Sequence, residues 1–358
     1  MLQSGYLNFF NVNKCGLYRI SRSEAQGLDL AETFAHLKKW VDERNFDATN
    51  PWDPKTHRNK PACYAHKITR HGKTGDFLLT LWKGESDKQG PLYGISVNPD
   101  GTVDEAIKQT QVNSKKPTIW GRPCYYWVIP EINCVASIKF ENSRCDSAMF
   151  QEWVSGCMNY RVDLPEYKKV ETVTGLVRIQ FPEVREDNGL QYKHIYSFDM
   201  SLKTISTGAA KLTDLARSVT HIIRRETVSI KSVDQRRGWA KLFKRFEVPF
   251  VSAEDQTSRR VELRVEAKPT LEEIKEIIDQ HAAEHDAPGW EDTGFITDKS
   301  GKTVWAGSFR ISENISVDDQ GKAIIDSENL FRKILENRDR YISPIIKDNA
   351  LAATGTDS

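Results

Sequence analysis

The order in which strand-type and helix-type periodicity follow one another most constrains what this chain can fold into. Short runs rich in aromatic and β-branched residues come in groups separated by turn signals, and each group is followed by an amphipathic segment. This is not the strict alternation of strand and helix that builds parallel sheets, so it points to antiparallel meanders packed with helices. Tyr6 to Phe10 reads as a short aromatic strand. Asp29 caps the helix that follows, Glu32 stands in capping-box spacing, and Leu30, Phe34, Leu37 and Val41 share one face. Cys63 to Thr69 and Phe77 to Trp82, joined by RHGKTG, read as a hairpin that Leu92 to Val97 and the NPDG turn extend. Trp120 to Phe140, broken by Pro123 and Pro130, reads as one or two strands, and Asp146 to Asn159 as a helix.

The second half opens with another meander, Thr172 to Phe181 and Gln191 to Met200. A helix is expected from about Ala210 to Arg225, with Leu212, Leu215, Val219 and Ile222 inward. A short strand (Thr227 to Lys231) and a basic helix (Asp234 to Phe246) come next. Strand Arg260 to Ala267 then feeds a helix at Pro269-Thr270, where a missing amide hydrogen is tolerated. Thr293 to Val317 reads as a hairpin turned at DKSGK, and Asp326 to Tyr341 as the last helix. The expected class is α+β in two domains, residues 1–165 and 166–346, with Asp163 to Glu166 as linker and 347–358 as a disordered tail.

With 39% hydrophobic residues, 9 Trp, 11 Tyr and 15 Phe, the composition is that of a folded chain rather than a disordered one. No apolar run approaches the roughly 18 residues that cross a bilayer, and MLQSGYLNFF lacks the features of a secretion signal. Six cysteines without CxxC spacing read as reduced, buried thiols, and the expected compartment is the cytoplasm.

Charge is segregated. The chain carries 51 Lys+Arg against 50 Asp+Glu, yet Lys211 to Arg245 holds ten basic residues against three acidic ones, a net of +7. Pro54 to Lys73 holds six basic residues, three His and no acid, which leaves −12 on the rest. Such a field attracts a polyanion at two places and repels it elsewhere. The expected phosphate contacts are Arg217, Arg224, Arg225, Lys231, Arg236, Arg237, Lys241, Lys244 and Arg245, with Arg58, Lys60, Lys67, Arg70 and Lys73 as a second surface. Neither basic helix carries an Asn/Gln-rich face for reading bases, so DNA contact without strong sequence preference is expected. The plainer reading of charged helix faces is solvated surface.

Other motifs are short. HAAEH (His281 to His285) matches a metalloprotease pattern but has only three fixed positions. Glu266-Ala267-Lys268 at a strand end, with Asp255 upstream, is half of a metal-dependent nuclease site, and it runs into an acidic helix that would repel DNA. That nuclease is the alternative to a non-enzymatic DNA-binding protein. There is no GxxxxGK[ST] loop, no cofactor is expected, and Trp120, Tyr125, Tyr126 and Trp127 read as core rather than base-stacking residues.

Several patches resemble the RexA-type phage-exclusion family: YAHKI (Tyr64 to Ile68) followed by Gly72-Lys73 and Phe77-Leu78, VEAK (Val265 to Lys268) entering an Ile-rich helix, the stretch from Asp292 through DKSGK to Asn314-Ile315-Ser316, and the opening layout of Met1 to Arg44. The resemblance implies a cytoplasmic homodimer of two domains that binds DNA without marked sequence preference. It would act as a sensor in phage exclusion, an abortive-infection form of antiviral defence, and signal to a small multi-pass membrane partner. The resemblance also turns VEAK from a nuclease motif toward a structural junction.

Overall fold

The computed structural model describes residues 2–19, 22–53, 57, 60–85, 93–104, 107–108, 117–173, 175–181, 192–203, 207–229, 258–284, 291–298, 303–309, 311–322 and 324–354. The fold is α+β with antiparallel ladders. The chain divides into two compact units, Met1–Thr207 with Arg310–Ser358, and Gly208–Phe309.

The first unit is built on an 11-stranded sheet whose spine is β1 (Leu2–Arg19). This strand is far longer than the Tyr6 to Phe10 run suggested. It pairs with β7 (Cys134–Lys139) on one side, and on the other with β15 (Ser312–Asp318) and then β10 (Lys193–Leu202). The expected boundary near residue 165 is therefore not where the chain divides. β8 (Lys168–Glu171), β9 (Val177–Gln180) and β10 extend the same sheet, and β15 returns to it after the second unit. The long β1–β10 ladder, from Phe10↔Leu202 to Arg19↔His194, is the physical reason.

Helices cover both faces of this sheet. α1 (Leu30–Asp42) and α2 (Ser147–Tyr160) pack with Cys124, Tyr126 and Val128. α5 (Ser327–Glu336) and α6 (Arg338–Thr354) pack with Tyr125, Trp127 and Ile129. All six of those sheet residues belong to β6 (Thr118–Ile129). Burial on both faces explains why this strand reads as a continuous apolar run, and it makes Tyr125, Tyr126 and Trp127 core residues, as expected. Pro123 survives inside β6 because its carbonyl, accepting from the Arg144 N–H, points to the side where β6 has a gap between its two neighbours. β4 (Tyr93–Ser96) pairs only Thr118 to Gly121, and β7 only Tyr125 to Ile129.

The capping box on α1 forms as the spacing predicts, Asp29 accepting from the Glu32 N–H at 2.8 Å and Glu32 from the Asp29 N–H at 3.1 Å. The expected tail from residue 347 begins as helix instead: α6 runs to Thr354, with Ile345 fully buried and Asp348 in a buried ion pair with Lys203 at 3.4 Å, and 355–358 lie outside the described residues. The expected Thr293 to Val317 hairpin is also corrected. β13 (Asp292–Thr297) and β14 (Thr303–Trp305) pair in the second unit, whereas β15 pairs with β1 in the first.

The second unit is a 4-stranded sheet in the order β12 (Ser258–Glu266), β11 (Val219–Ser229), β13, β14. α3 (Thr207–Ser218) and α4 (Leu271–Glu284) supply Leu212, Leu215, Ile274 and Ile278 to a core with Val219 and Phe295. Among the described residues of the chain, no helix is long and apolar enough to cross a membrane.

Candidate nucleic-acid interface

The basic residues of the first unit sit on and around an edge strand. β2 (Cys63–Arg70) and β3 (Phe77–Gly84) form the expected hairpin. Its turn is closed by His71 N–H to the Asp76 carbonyl (2.9 Å) and Gly75 N–H to the His71 carbonyl (3.0 Å), with Gly75 at φ +74° where a side chain would be strained. Lys73 is exposed on this turn, and Arg70 is exposed at its start with its guanidinium 5.5 Å from the Phe77 ring centre. The turn is anchored from below. Asp76, fully buried, accepts from Trp127 Nε1 (3.0 Å) and from Arg338 Nε (2.8 Å) and Nη2 (3.1 Å), while Arg338 Nη2 also donates to Glu131 (2.7 Å).

Two other members of the expected second surface are neutralised by acids. Lys67 pairs with Glu328 at 3.1 Å and Lys60 with Glu152 at 3.2 Å, both at partly exposed positions. Burial, with Lys67 alongside, holds the His66 imidazole below its usual range, so it adds no charge near neutral pH. Arg58 lies outside the described residues. Lys60 lines a cleft of about 810 Å³ that no sequence motif marks. There Lys60 and Arg161 share the lining with three carboxylates, Asp53, Glu152 and Glu171. That balance does not favour a phosphate.

In the second unit the expected helix from Ala210 to Arg225 is corrected. α3 stops at Ser218, whose hydroxyl donates to the Asp214 carbonyl at 2.9 Å, and the β-branched run from Val219 continues as β11 between β12 and β13. The short strand expected at Thr227 is the far end of this same β11. Arg224 and Arg225 therefore stand on a central strand instead of a helix face. Arg224 is paired with Glu226, and Arg225 with Glu262 at 2.7 Å, its guanidinium 4.1 Å from the Trp305 ring centre. Arg217, in the last turn of α3, is exposed. Lys231, Arg236, Arg237, Lys241, Lys244 and Arg245 lie outside the described residues, as does the expected helix from Asp234 to Phe246.

The structure thus sorts the described cations. Lys60, Lys67, Arg224 and Arg225 are committed to carboxylates, whereas Arg70, Lys73 and Arg217 are exposed and have no acidic partner among the described residues. Two of these partners are remote in sequence, Glu328 lying 261 residues from Lys67 and Glu262 37 from Arg225, while Glu226 is close to Arg224 and faces it only through the strand geometry of β11.

The two catalytic motifs resolve differently. His281 is buried in the last turn of α4, with Nε2 3.2 Å from Asp292 Oδ1, so it joins α4 to β13, and His285 lies outside the described residues. Glu266 and Lys268 are exposed at the end of β12, and Asp255 is outside the described residues. Among the described residues no three His, Cys, Asp or Glu side chains come together as a metal site. No protein-family model, curated protein or solved structure matches this chain.

Proposed function

We propose that this protein binds the phosphate backbone of DNA without marked sequence preference. One observation carries the reading: a nearly neutral chain concentrates +7 between Lys211 and Arg245, a stretch that opens beside the exposed Arg217. Arg70 and Lys73, exposed on an anchored turn, support a second contact. Arg224, Arg225, Lys60 and Lys67 are left out of the contact set, because a cation already paired with a carboxylate gains less from a phosphate. The resemblance to phage-exclusion proteins adds a cytoplasmic homodimer acting as a DNA sensor for antiviral defence, with a multi-pass membrane protein as its downstream partner.

The test is fluorescence anisotropy with a labelled random-sequence duplex between about 50 and 300 mM salt. Log affinity should fall linearly with log salt, with a slope equivalent to roughly four or more neutralised phosphates. Replacing Arg236, Arg237, Lys244 and Arg245 together by Ala should flatten that slope, and R70A/K73A should lower it by about two phosphates. Unchanged affinity in the folded quadruple variant would remove the larger patch from the interface.

A further inference from the structure

Natural sheets protect their open edges, and among the described residues the edge strands β2, β8 and β14 are protected. β2 carries a bulge between Ala65 and Lys67, and the Thr49 hydroxyl accepts the Ala65 N–H at 2.8 Å. β8 is only 4 residues long, and β14 only 3. β12, the longest edge strand among the described residues, is 9 residues long, contains no proline, and pairs with β11 without a register shift. Among the described residues it has no second neighbour. A strand this long and regular at an edge is a template for another strand.

Its sequence says which strand. From Arg260 to Glu266 it reads Arg-Val-Glu-Leu-Arg-Val-Glu. Arg260, Glu262, Arg264 and Glu266 are exposed on one face, while Val261, Leu263 and Val265 are half-buried on the other and stand outside the core cluster of α3 and α4. When an identical strand is laid antiparallel about a twofold axis at Leu263, Arg260 falls opposite Glu266 and Glu262 opposite Arg264. Val261 then meets Val265, and Leu263 meets itself. Moving the axis to Glu262 sets Arg260 against Arg264, and moving it to Arg264 sets Glu262 against Glu266. A shift of half a step puts the charged face against the apolar one. Only the axis at Leu263 pairs both arginines with both glutamates.

We propose that β12 is a self-pairing edge, through which two copies of this chain join their 4-stranded sheets into one continuous sheet about a twofold axis at Leu263. The interface is isologous, as closed dimers require. Opposite charges alternate across it: Arg225 already pairs with Glu262 within each chain, and Arg264 of the second copy extends the row. The half-exposed Val261, Leu263 and Val265 gain an apolar neighbour on the side of the helices. The proposal names the surface of the homodimer suggested above and needs no DNA contact. A protein that dimerises through β12 without binding DNA, or binds DNA as a monomer, would separate the two readings.

The test is sedimentation velocity of the full chain at micromolar concentration and low salt. The wild type should sediment as a dimer. E262R/E266R and R260E/R264E should each be weakened at least tenfold in self-association, and their equimolar mixture should recover the dimer, because an all-arginine strand then meets an all-glutamate one. As a check that preserves the charges, L263C should be crosslinked between copies by a short bismaleimide. V265C should not be, since residue 265 faces residue 261 rather than itself. A monomeric wild type, charge-reversed variants that self-associate like the wild type, a mixture of folded variants that stays monomeric, or equal crosslinking of L263C and V265C would each overturn the proposal.

Discussion

Replacing Arg338 by Met should destabilise the first unit by about 3 kcal/mol, because it strands a carboxylate that has no access to water. Asp76 is fully buried and receives two of its three side-chain hydrogen bonds from Arg338, the third coming from Trp127 Nε1. Removing one partner of such a pair costs about 3–5 kcal/mol. The lower end applies here because the outer Nη2 of Arg338 also faces Glu131, which is 57% exposed. The double variant D76L/R338M removes both charges at once and leaves only Trp127 Nε1 without its acceptor. It should therefore cost about 1–3 kcal/mol, no more than the single variant. Urea denaturation followed by tryptophan fluorescence and circular dichroism measures both. Costs that simply add, or a single variant within about 1 kcal/mol of wild type, would refute the reasoning. Because Asp76 closes the turn that presents Lys73, R338M should also weaken any DNA binding that depends on Arg70 and Lys73.

Two further outcomes follow from local geometry. Lys169 Nζ donates to the Met158, Asn159 and Val162 carbonyls at the end of α2, and burial holds its ammonium down at about 8, below the ordinary 10.5. The unfolded chain keeps that proton across the interval, so stability relative to K169M should rise as pH goes from about 8 to 10.5, and a flat difference in denaturation midpoint would refute the assignment. At Gly121, a Cβ would sit 2.1 Å from the Lys83 carbonyl oxygen, so G121A should lose about 1–3 kcal/mol in the same urea titration, and a neutral result would show that β3 and β6 can separate at that point.

By itself the sequence determined what depends on neighbours along the chain. The Asp29–Glu32 capping box, the β2–β3 hairpin, the α2 helix capped by Asp146 and the charge concentration from Lys211 to Arg245 all rest on residues a few positions apart. The alternation of Arg260 to Glu266 was equally legible, but its meaning was not, since a charged strand differs from an open edge only once its neighbours are known. The tertiary structure decided everything that rests on distant partners. Val219 to Arg225 could serve a helix or a strand by local preference, and pairing on both sides with β12 and β13 settled it as a strand. Whether Lys60, Lys67 and Arg225 are free for a phosphate depended on carboxylates far along the chain, whereas Arg224 pairs with the nearby Glu226. The division of the chain came from β1 collecting β10 and β15, strands separated by the whole second unit. Short-range preference is weak against such pairing, because burial and ladder hydrogen bonds accumulate over many residues while the preference of any one residue is a fraction of a kcal/mol.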